Sequence, residues 1–195
     1  MNSIVLKIMA SVVWILLLNI YRKKDYLKMN YNLIVILSLI SLMSVLFLSF
    51  EEIFVLNVLL FHVYTDEMTQ TVYCLPTFIT GIVELVLLII SGVKADALIM
   101  LLVVCGIVKI ISFLGAFAEG DADFIYVLLI FMARYMEVFE AFLIITLVSA
   151  ISFIVKILLI NVKRILCKQQ TIRKSAYMGS IMVAYLVICN LKVYN

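Results

Sequence analysis

Apolar residues along the chain gather in long runs, at roughly 4–20, 33–50, 53–65, 75–91, 96–117, 122–134, 138–160 and 177–191. The period-two alternation of a half-buried strand is absent, so each run predicts a helix. A helix needs about 20 residues to cross the hydrocarbon of a bilayer. Six runs approach that length, while the third and sixth have 13 residues each. The pattern therefore predicts an all-α, polytopic membrane helical bundle with about six to eight transmembrane helices. A run at 4–20 near the start resembles a signal peptide in position. It has no small-residue cleavage site and many spans follow it, so a retained first helix is expected.

Composition points the same way. Hydrophobic residues make up 67% of the 195 positions and charged residues 14%, against about 45–50% and 25% in soluble domains. Mean hydropathy is +1.26. One proline and six glycines leave little to interrupt a helix. No linker or repeat divides the chain, so a single membrane domain over residues 1–195 is expected. Its four cysteines are scattered and His62 is the only histidine. Neither a zinc site nor a disulfide framework is suggested, and no metal or other cofactor is expected.

Charge orients the bundle. Arg22, Lys23, Lys24 and Lys28 follow the first run, and Lys163, Arg164, Lys168, Arg173 and Lys174 follow the seventh. Nine of the fifteen basic residues thus lie in two connections, both expected on the cytoplasmic side. With eight spans and the N-terminus outside, the connections after the third and fifth runs face the cytoplasm too. These carry Asp66 and Glu67, then Glu119, Asp121 and Asp123.

Acids near membrane segments are costly and usually have a reason. Glu51, Glu52, Asp96 and Asp25 read as solvated boundary residues. Glu84 and Lys109 lie inside apolar runs, where they can pair or Lys109 can snorkel. Asp66, Glu67, Glu119, Asp121 and Asp123 form an acidic group on a face otherwise basic, suited to a cationic peptide. Two carboxylates held close share one proton. The ionised one then activates water while the protonated one polarises a carbonyl. Helix-initiating acids stabilised by the helix dipole are the plainer reading of Asp66 and Asp121.

The segment Tyr64-Thr65-Asp66-x-x-Thr69-x-x-Val72 resembles the D-x-x-T-x-x-I segment of type IV prepilin peptidases, and Glu119-Gly120-Asp121 resembles the end of their G-x-G-D motif. The late segment Arg173–Gly179 is similar to a degraded form of their basic-to-apolar segment. Departures are Ala118 for the first glycine of G-x-G-D, Asp123 where a lysine is usual, Tyr73-Cys74 where an asparagine is expected, and a missing proline in the late segment, while Asp121 holds the motif position. The resemblance implies an intramembrane-type aspartyl peptidase in the cytoplasmic (inner) membrane, with Asp66 and Asp121 as catalytic acids and no cofactor. Its expected partners are prepilin or pilin-like precursors and membrane lipid, without nucleic acid. The chain has no C-x-x-C pairs and no large cytoplasmic loop, so leader cleavage without methylation is expected.

His62, four residues before Asp66, shares its helical face, and Tyr64 and Tyr126 read as interface anchors. Two alternatives stand beside the peptidase. One is a cysteine-type membrane peptidase for signalling peptides, using Cys74 with His62. The other is a small transporter or scaffold in which Glu84 and Lys109 line a path.

Overall fold

The structure is a computed structural model that describes residues 2–25, 29–70, 72–115, 118–166 and 177–192. Among these every regular element is an α-helix: α1 (Asn2–Ser11), α2 (Val13–Asp25), α3 (Tyr31–Phe47), α4 (Phe50–Thr69), α5 (Cys74–Ile90), α6 (Ala95–Phe113), α7 (Glu119–Met132), α8 (Val138–Leu166) and α9 (Met178–Lys192). Only Val12 parts α1 from α2, so the segments form eight rods, one for each apolar run. Three stretches are long and apolar enough to cross a membrane: Ile4–Arg22, Ala95–Phe113 and Val138–Val162. They suggest a membrane protein. By contacts the chain divides into two compact units, Met1–Pro76 and Thr77–Asn195.

In the first unit α4 is the enclosed helix, packed by α1, α2 and α3. Thirteen of its apolar and polar side chains from Ile53 to Asp66 are buried, so it is covered on every face. Its start is fixed by a capping box: the Ser49 hydroxyl accepts from the Glu52 N–H, and the Glu52 carboxylate accepts from the Ser49 N–H at 2.6 Å. Its end is a left-handed Gln70 at φ 56°, whose N–H donates to the Asp66 carbonyl at 2.9 Å. These two signals lengthen a 13-residue apolar run into a 20-residue helix.

The break at Val12 also has a local cause. The Ile15 N–H bonds the Val12 carbonyl, three residues back, which leaves the Ser11 carbonyl turned aside. The Ser41 hydroxyl lies 2.8 Å from that carbonyl and 2.8 Å from the Asn57 side-chain oxygen. Having a single proton, it donates to one of them at a time. This polar knot joins α1, α3 and α4.

In the second unit α7 is the enclosed helix, with α6, α8 and α9 around it. Asp121, Ala122, Phe124, Ile125, Val127–Leu129, Phe131 and Met132 are all buried. A Cβ at Gly81 of α5 would rest in ordinary van der Waals contact, 3.5 Å, with the Val127 side chain of α7. The surrounding helices turn large apolar side chains outward, such as Ile99, Leu102, Val103 and Ile110 on α6 and Leu147, Ile151, Ile154 and Leu158 on α8. Soluble monomers rarely show contiguous apolar stripes of this extent.

Candidate active site

Each enclosed helix carries one of the two candidate acids at an end. Asp66 sits in the last turn of α4 and is 8% exposed. Asp121 is the third residue of α7 and is 5% exposed. Helix polarity separates their situations. A carboxylate in a first turn is stabilised by the positive end of the macrodipole, whereas one in a last turn is opposed by it. The Asp121 carboxylate also accepts a hydrogen bond from the Ala118 N–H at 3.2 Å, satisfying one of the donors that a helix start leaves open. Helix initiation therefore accounts for Asp121, but the expectation that it accounts for both acids does not hold at Asp66.

The other three carboxylates of the acidic group behave differently. Glu67 and Glu119 are exposed, and Asp123 is half-buried. Glu119 forms an exposed ion pair with Lys109, N···O 3.5 Å. A screened pair of this kind contributes about 0–1 kcal/mol. Burial thus sets Asp121 apart from Asp123, two residues on.

Near Asp121 the start of α9 adds a tyrosine. The Tyr177 hydroxyl and the Ser149 hydroxyl of α8 are 2.7 Å apart, and the Tyr177 ring meets Phe153 edge-on at 5.0 Å. Burial pushes the Tyr177 hydroxyl pKa above its ordinary value; the Ser149 hydrogen bond opposes this, and the Asp121 carboxylate adds to the rise. Ser149 lies within the apolar seventh run, where nothing in the pattern distinguishes it.

His62 is wholly buried in α4, one residue from Phe61, whose ring centroid is 5.3 Å away. An aromatic cluster of Tyr21, Phe61 and Tyr73, with centroids 4.3–5.7 Å apart, continues from there. Tyr64, expected as an interface anchor, is instead wholly buried, and its hydroxyl accepts from the Asn30 N–H at 2.9 Å. Cys74 is exposed at the start of α5, an environment unlike that of His62.

Glu84 and Lys109 have separate partners. Lys109 meets Glu119, while Glu84 pairs with Arg134 in the connection after α7. Arg134 also lies over the rings of Phe131 and Tyr135, at 5.2 and 5.4 Å. It is the only arginine between Arg22 and Arg164, a signal that the reading of apolar runs passed over. Among the described residues no group of three or more His, Cys, Asp or Glu is arranged to hold a metal ion. Cys167, Lys28, Lys168 and the segment 173–176 lie outside the described residues, as do the side chains of Lys23, Lys24 and Lys163.

No family model matches the chain, and neither a curated protein nor a solved structure does.

Proposed function

We propose that this chain is a membrane aspartyl endopeptidase that removes the basic leader from prepilin or pilin-like precursors at the cytoplasmic face. Asp66 and Asp121 are its catalytic acids in this reading. The observation that carries it is the enclosed position of both carboxylates, at the end of α4 and the start of α7. The helix dipole supplies no reason for the first of them. Two apolar helices, α5 and α6, separate the acids in sequence. If each crosses the bilayer once, the chain returns to the face it left, which suits a shared role. The resemblance of both segments to prepilin peptidase motifs adds the reaction.

In the chemistry proposed, the ionised carboxylate takes a proton from water as the oxygen adds to the scissile carbonyl carbon. The protonated carboxylate donates to the carbonyl oxygen. Collapse of the tetrahedral intermediate breaks the C–N bond, and the leaving nitrogen takes up a proton. The exposed Glu67 favours approach of a basic leader, and the outward apolar faces of α6 and α8 are ones a bilayer would cover.

The test is co-expression with candidate prepilins, reading leader loss by a mobility shift. Asp66→Asn and Asp121→Asn should each abolish cleavage, and Asp123→Asn should leave most of it. Cleavage that persists in both of the first two variants overturns the reading. Loss with Cys74→Ser but not with Asp66→Asn would point to the cysteine peptidase.

A further inference from the structure

At the end of α7 away from Asp121, a cleft of about 440 Å³ opens between the first turn of α6 and the connection into α8. Its size falls in the range of about 300–1,000 Å³ typical of small-molecule sites. Met100, Met136 and Phe139 give it an apolar lining, and Lys94, Asp96 and Glu137 give it charge of both signs. All three charged residues are exposed, and none forms a salt bridge or side-chain hydrogen bond within the described residues.

The position of the cleft narrows what occupies it. Lys94 immediately precedes Ala95–Phe113, and Glu137 immediately precedes Val138–Val162, two of the three stretches able to cross a membrane. The cleft therefore lies where two apolar stripes begin, at headgroup depth if those helices span. Its apolar lining continues into the outward side chains of α6 and α8, including Ile99 and Leu143. A ligand complementary to it has acyl chains below, one anionic group for Lys94 and one cationic group for Asp96 and Glu137.

We propose that this cleft binds the headgroup of a zwitterionic phospholipid, with the phosphate at Lys94 and a primary ammonium, as in phosphatidylethanolamine, between Asp96 and Glu137. An anionic headgroup satisfies Lys94 but meets the two carboxylates unfavourably, so the site discriminates by headgroup charge. The assignment stands apart from the peptidase reading, since it uses neither candidate acid.

The experiment reconstitutes the full chain in vesicles of equal parts phosphatidylethanolamine and phosphatidylglycerol, extracts it gently and counts retained lipids by native mass spectrometry. The wild type should retain phosphatidylethanolamine in excess, and Asp96→Asn with Glu137→Gln should lower that excess by roughly fivefold per carboxylate. Lys94→Gln should reduce retention of both lipids, and Lys109→Gln, outside the cleft, should change neither. Thermal unfolding of each variant checks that the fold is kept. Equal retention of the two lipids by the wild type overturns the proposal, as does a preference that survives in the double variant.

Discussion

Glu84, two-thirds along α5, and Arg134, two residues past the end of α7, form an enclosed ion pair across fifty residues of sequence. Their side chains are 1% and 8% exposed. Removing either partner leaves a buried charge without the opposite charge that offsets most of its desolvation. Glu84→Gln or Arg134→Met should each cost about 3–5 kcal/mol, and a Glu84→Met, Arg134→Met pair should recover most of the loss. A double-mutant cycle on thermal unfolding in detergent measures this. Additive losses would mean that the two side chains do not depend on each other.

Asp66 and Asp121 differ in the sign of their interaction with helix dipoles, so neutralising them should separate activity from stability. Asp121→Asn removes a charge from the start of α7 and should cost about 0.3–1 kcal/mol. Asp66→Asn removes one from the end of α4, and should leave the unfolding temperature unchanged or raise it. If both acids catalyse, cleavage is lost in both variants while only Asp121→Asn lowers stability. Equal destabilisation would show that burial and hydrogen bonding outweigh the dipoles.

All eight rods were legible from the apolar runs, since no strand-like alternation competes with them and a single proline, Pro76, falls in the first turn of α5. The length of α4 was less so. Ser49, Glu52 and Gln70 extend α4 by cap geometry, and an apolar count does not see that. Burial of the acids at 66 and 121 was also hidden, because a carboxylate beside an apolar run reads as a boundary residue. The partners of Glu84 and Lys109 lie 50 and 10 residues away, and packing alone chooses them. Tyr64 was read as an anchor because tyrosine is common at interfaces, whereas here its hydroxyl meets the backbone at the start of α3.

The capping box of α4 gives a local prediction. Ser49→Ala removes the acceptor for the Glu52 N–H and should cost about 1 kcal/mol. Hydrogen exchange should quicken at the Glu52 amide while the middle of α4 stays protected. Unchanged exchange there would show that packing alone holds the first turn.

Ser41 and Ser44 lie one turn apart on α3, and both are buried, yet their hydroxyls do different things. Ser44 bonds the Ser41 carbonyl of its own helix at 2.6 Å, an acceptor that keeps its intrahelical partner without the serine. Ser41 instead faces the Ser11 carbonyl at the break between α1 and α2, and the Asn57 side chain of α4. Removing it strands a buried acceptor, which costs about 1–3 kcal/mol. Ser41→Ala should therefore destabilise the protein by that amount, and Ser44→Ala by less than about 1 kcal/mol. Thermal unfolding of the two variants in one detergent makes the comparison. Equal effects would mean that the break at Val12 does not rely on Ser41, and that packing of α1 and α2 against α4 holds it instead.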